Sequence, residues 1–103
     1  MILYHVWFSF KPEVDAPAEL EKVRAFLADL KNHGRVDHFR LTKNRAEAGQ
    51  GKLPPYQITA EFCDRSRMGE AFAEVKRIGI HAGFHGAMIE NVDHFVVEVF
   101  EDI

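Results

Sequence analysis

Three histidines, His5, His38 and His94, fall in segments where apolar and polar residues alternate, and each falls on the polar phase. Such alternation sends successive side chains to opposite faces of a strand. Free imidazole titrates at roughly 6.5, so it can take up or give a proton near neutral pH. His5 shares its face with Trp7 and Ser9. An aromatic wall carrying a few polar points is how small-molecule pockets are lined. His5 therefore reads as a general base or a hydrogen-bond donor to a substrate oxygen. The competing reading is a structural histidine held by a neighbouring side chain.

Other residues on the same polar phase could join it. Arg40 follows His38 at strand spacing, and a guanidinium can clamp a carboxylate through two parallel hydrogen bonds. Glu61 occupies the equivalent phase of its own segment. A carboxylate buried there needs a cation, so Arg40 or a histidine is expected beside it. A polar network between subunits is the preferred reading of His38, Arg40, His94 and Glu98. His81 and His85 lie four apart in IHAGFHGAMIE and would share a face if that segment is helical. Zinc takes three or four protein ligands, and no third is specified, so no metal is expected. The glycines at 79, 83 and 86 suit the lip of a pocket, with His81, Phe84 and His85 reaching a substrate. Solvated surface histidines are the alternative. Cys63 reads as a small strand-end hydrophobe.

The whole chain bounds these readings. Its 103 residues fit a single domain, 1–103. At 47% hydrophobic with nine Phe it can build a core, and disorder is disfavoured. A net charge of −3 without a basic stripe argues against nucleic acid. No apolar run is long enough to span a bilayer, and no leader pattern opens the chain. One cysteine suits a reducing compartment. A soluble cytoplasmic protein is the expectation.

The elements that must position these residues follow from periodicity. Residues 2–10 alternate, with Ile2, Tyr4, Val6, Phe8 and Phe10 opposite Leu3, His5, Trp7 and Ser9. Asp15 and Pro17 open a helix whose stripe is Leu20, Val23, Phe26, Leu27 and Leu30; Glu19, Glu21, Lys22, Arg24 and Lys31 are placed on its solvent side, and Gly34 stops it. Residues 36–43 and 56–63 are strands around a loop rich in glycine and proline. Asp64 or Ser66 caps a second helix with a stripe of Met68, Ala71, Phe72 and Val75, and residues 92–100 form the last strand.

The order βαββαβ gives an α+β, ferredoxin-like domain: a four-stranded antiparallel sheet with both helices on one face. Tyr4, Val6, Phe8, Phe39, Leu41, Tyr56, Ile58, Phe62, Phe95, Val97 and Val99 should meet the helices. The other face still carries Leu3, Trp7 and Val96. Exposure forgoes roughly 1.5–3 kcal/mol per large apolar side chain. A second copy packed face to face, closing a dimeric α/β barrel around a small-molecule cavity, is the simplest cover.

The run Tyr4-His5-Val6-Trp7-Phe8-Ser9-Phe10-Lys11-Pro12-Glu13-Val14 resembles the first strand of the dimeric α/β-barrel superfamily, especially its stress-responsive A/B-barrel (Dabb) branch. His81-Ala82-Gly83-Phe84-His85 stands where that branch often carries a His-Pro-x-His run, here without the proline. The resemblance implies a homodimer and, by likeness to the branch's plant polyketide cyclases, cofactor-independent chemistry. It makes His5 and His85 the catalytic pair. Those cyclases place a tyrosine nearby; here Phe72 is the nearest aromatic in the second helix. The expected activity is cyclisation, isomerisation or lyase-type cleavage of a partly hydrophobic carbonyl compound, with Trp7 and Phe84 as apolar walls. Three alternatives stay open: a non-catalytic stress-associated or ligand-sensing dimer, a haem- or metal-binding protein, and a quinol monooxygenase.

Overall fold

Alternating apolar residues make Ile2–Phe10 a strand, β1, and the computed structural model places it inside a four-stranded antiparallel sheet. The model describes residues 1–45, 47, 49, 52–77 and 90–103, with the backbone alone for 75–77. The other elements are α1 (Ala16–Asn32), β2 (His38–Lys43), β3 (Tyr56–Phe62), α2 (Arg65–Arg77) and β4 (Val92–Glu101). The strand order is β2-β3-β1-β4, the ferredoxin-like α+β arrangement expected from βαββαβ. One irregularity interrupts the sheet. Ser9 pairs with His94 but Phe10 pairs with Val92, so Asp93 is an extra residue in β4.

Local chemistry sets the helix ends. The Asp15 carboxylate accepts from the Ala18 amide at 3.4 Å, and Pro17 lies in the first turn, where its missing N–H costs nothing. At the far end Arg35 N–H donates to Leu30 C=O and Gly34 N–H to Lys31 C=O, the paired bonds of a Schellman stop. Gly34 has φ +69°, the left-handed conformation that glycine adopts without strain. Of the two candidate caps of α2, Asp64 acts: its carboxylate accepts from the Arg67 amide at 2.9 Å.

Both helices cover one sheet face. Val23 and Leu27 of α1 pack with Phe8 and Ile58, flanked by Val6, Leu41 and Tyr56. Ala71 and Met68 of α2 pack with Ile2, Ala60, Phe62 and Val36. Phe72 meets Tyr4 edge-on at 5.0 Å and Phe62 at 6.4 Å.

Three expectations change. Glu19 is buried rather than solvated. It lies four residues before Val23 and eight before Leu27, hence on the same ridge of α1, and the Lys22 ammonium donates to its carboxylate at 3.1 Å. Cys63 is exposed, its thiol directed at the Asp64 carboxylate at 3.7 Å. Phe95, Val97 and Val99 do lie on the helix-side face, opposite Phe8, Val6 and Tyr4, yet they stay 63%, 39% and 46% exposed. Among the described residues, only Val92 at the start of β4 joins the two core clusters, whose helical residues otherwise lie against β1, β2 and β3.

Two outcomes follow. Gly34→Ala forces a Cβ into left-handed backbone and should cost about 1–2 kcal/mol, read as a lower urea midpoint with an unchanged m-value. Burial pushes the Tyr4 phenol above its ordinary pKa. A folded pKa raised this way adds stability that is full below the unfolded value, about 10, and is lost as pH climbs through the folded one. Absorbance titration should show one of the two tyrosines ionising late, and Tyr4→Phe should remove that phase.

Candidate functional site

Cross-strand pairing arranges the open face in rungs. His38, Glu61, Leu3 and Phe100 form one; Arg40, Thr59, His5 and Glu98 the next; Thr42, Gln57, Trp7 and Val96 the third. Ser9 and His94 lie beyond. His5 thus occupies an inner strand at the centre of this face, half-buried, with β3 on one side and β4 on the other.

The imidazole is held firmly. Gln57 Nε2 approaches His5 Nδ1 at 2.7 Å and Thr59 Oγ1 approaches the same nitrogen at 3.2 Å. Thr42 Oγ1 donates to Gln57 Oε1 at 2.8 Å, so the chain of contacts runs from β2 through β3 to β1. Trp7 stacks on the ring at 5.4 Å with planes 17° apart, and Phe100 meets it edge-on at 5.2 Å. Among the described residues no hydrogen bond reaches Nε2. Chemically, this is an imidazole fixed at one nitrogen and walled by two aromatic rings, with its second nitrogen unbonded among the described residues.

Of the residues expected at the site, His5, Trp7, Ser9, Arg40 and Glu61 share this face. Trp7 touches His5 directly. Either Arg40 or a histidine was expected beside Glu61. His38 stands directly opposite Glu61, and the exposed Arg40, opposite Thr59, lies diagonally across from it; among the described residues no ion pair joins Glu61 to either. His81, Phe84 and His85 lie outside the described residues. Phe72 packs on Tyr4 and Phe62, across the sheet from His5. Among the described residues no group of three or more His, Cys, Asp or Glu side chains could hold a metal ion.

The model of a family of unknown function, DUF6614, matches residues 1–103. The chain belongs to the DUF6614 family. No curated protein matches it. Among solved structures, the DUF6614 chain is similar to the Arabidopsis thaliana protein At3g17210, with TM-score 0.80 and 16% identity over 100% of this chain and 96% of that one. A dimeric ferredoxin-like protein of unknown function from Jannaschia sp. aligns with TM-score 0.69 and 18% identity over 99% and 100% of the chains. A Dabb-family protein with a ferredoxin-like fold from Mesorhizobium loti aligns with TM-score 0.66 and 15% identity over 99% and 96%. Enzymes share the fold too: an antibiotic biosynthesis monooxygenase (TM-score 0.66, 11% identity, 100% and 99% covered) and the hydroxynitrile lyase of Passiflora edulis (0.64, 9%, 96% and 90%). At these identities the likeness is one of fold.

Sequence reasoning about this DUF6614 site missed Gln57, Thr59, Thr42 and Phe100 as neighbours of His5. The alternation had put Gln57, Thr59 and Thr42 on polar faces, but only the register could bring Gln57, diagonally across from His5, within reach. Phe100 carried a readable signal, since it continues the His94, Val96, Glu98 phase. Among the described residues, no helix is long and apolar enough to cross a membrane.

Proposed function

We propose that this chain is a single dimeric α/β-barrel domain of the Dabb type that closes as a homodimer through its open sheet face and binds a small, partly apolar carbonyl compound beside His5. Any catalysis is cofactor-independent proton transfer: cyclisation, isomerisation or lyase-type cleavage. The observation that carries this reading is the His5 imidazole, held at Nδ1 by Gln57 and Thr59 and walled by Trp7 and Phe100, with Nε2 left for a ligand. Ser9, Arg40 and Glu61 would contribute further polar points, with His85 as the partner of His5 and His81 and Phe84 at the rim. Solved neighbours described as dimeric, and a lyase of the same fold, support the reading by fold alone. A cytoplasmic location suits a protein with one exposed free cysteine.

A second reading rests on a different observation. On the helix side Tyr4, Phe72, Val97 and Val99 lie together, and the last three are exposed. An apolar trough with one phenol could also hold such a ligand. The two readings separate cleanly.

Trp7 is the only tryptophan and stacks on His5, so its emission reports a ligand there. Against a panel of aromatic aldehydes, β-dicarbonyls and quinones, a binder should quench Trp7. His5→Ala should weaken that binder about tenfold, the worth of one hydrogen bond, while Tyr4→Phe leaves it unchanged. The reverse pattern would move the site to the trough. Sedimentation should find a dimer for the wild type and a monomer for Phe100→Asp, which plants a charge on the open face. A monomeric wild type removes the barrel.

A further inference from the structure

We propose that Gln57, oriented by Thr42, is a positioning residue that fixes neutral His5 as the Nε2–H tautomer, so that the open face offers its ligand a hydrogen-bond donor rather than a base. This deepens the reading of His5 as the ligand-facing group and rests on it. The ligand class narrows accordingly: the compound must present an acceptor oxygen, a carbonyl, enolate or carboxylate, at Nε2.

The geometry favours one sense of the relay. As arranged, the Thr42 hydroxyl gives its proton to Gln57 Oε1 over 2.8 Å, which turns the amide NH2 toward His5. Nε2 of that amide then donates to Nδ1 at 2.7 Å, and a nitrogen that accepts carries no proton. The Thr59 hydroxyl, 3.2 Å away, can donate to the same lone pair. In the opposite sense the Gln57 amide would donate to Thr42. The Thr42 proton would then have only the Gln57 backbone carbonyl at 3.5 Å within the protein, a long bond in place of a short one. On the β4 side the register neighbour of His5 is Glu98, an acceptor, and the ring contact is Phe100. Neither supplies a proton to a bare Nε2. The hydrogen bond at Nδ1 thus decides what the other nitrogen offers, as it does for histidines generally.

The consequence for chemistry is directional. A resting His5 polarises a carbonyl or holds an enolate oxygen. To act as a base through Nε2 it must first move its proton to Nδ1, which requires Gln57 to turn over against Thr42. Any base in a proton-transfer cycle is therefore a different group from resting His5.

The test is the nitrogen spectrum of the full-length, ligand-free protein. Long-range proton–nitrogen correlation on the uniformly 15N-labelled chain, recorded above the histidine titration range, distinguishes protonated from bare imidazole nitrogens; His5 is assigned from the signals lost in His5→Gln. We expect Nδ1 bare and Nε2 protonated in the wild type. Gln57→Glu replaces the donor by an isosteric acceptor and should invert the pattern, with Nδ1 protonated. Thr42→Val, on the exposed edge strand and well tolerated there, should yield a mixture of tautomers. A wild type with Nδ1 protonated overturns the proposal, as does a Gln57→Glu spectrum identical to the wild type. If Gln57→Glu does not fold, Thr42→Val decides: an unshifted single tautomer refutes the relay. Loss of the function reading would look different, since His5→Ala would then leave ligand quenching intact whatever the tautomer.

Discussion

β1 lies between β3 and β4, hydrogen-bonded on both edges, and cannot slip. A shift of one residue would turn Ile2, Tyr4, Val6 and Phe8 to the open face and bring Leu3, His5 and Trp7 under the helices. Each large side chain driven out of the core would forgo about 1.5–3 kcal/mol, and an imidazole forced in would have to find a hydrogen-bond partner there. The register of this one strand therefore decides the character of both surfaces. It commits Tyr4 to the helix layer, where Phe72 closes on it, and commits His5 to the opposite surface, where Gln57 and Thr59 reach it from the neighbouring strand.

Much of this was legible in the sequence because alternation and helical spacing are local. The six elements, their order, the Asp15 cap and the Gly34 stop all follow from neighbours a few residues apart. Most of the errors came from long-range terms, and one from a local spacing overruled by charge. Glu19 carries a charge, yet its place on the Val23–Leu27 ridge outweighs its polarity once Lys22 accompanies it. Phe95, Val97 and Val99 have the right phase but belong to an edge strand from which, among the described residues, only Val92 joins the two core clusters. At the site, the polar phase of His5, Gln57 and Thr59 was readable. The diagonal contact between β1 and β3 was not, since nothing in either segment states how the two strands align. Which residue stands opposite Glu61 was hidden in the same way: charge complementarity is visible in a sequence, and the register that sets His38 there is not.

The likeness to plant and bacterial structures at 9–18% identity has a physical content of its own. A fold can outlast so much sequence change because a rule for which positions are apolar, with volume kept, is enough to specify its layers. A shared fold does not fix the groups on the open face of the sheet, and function lies in those groups. In this chain those groups are an imidazole, an amide and two hydroxyls linked across three strands.

The extra residue at Asp93 gives β4 two phases. Val92 joins the helix-side core beside Phe10, while from His94 onward the strand keeps step with Ser9 and the residues before it. The near end of β4 is in effect geared separately from the rest, like a vernier set against a fixed scale. A residue gained or lost in the chain leading into β4 can be taken up at this point. Phe95, Val97 and Val99 would keep their side of the sheet, and Val96 and Phe100 theirs. Variation in length ahead of the strand is thereby insulated from the surface on which His5 depends.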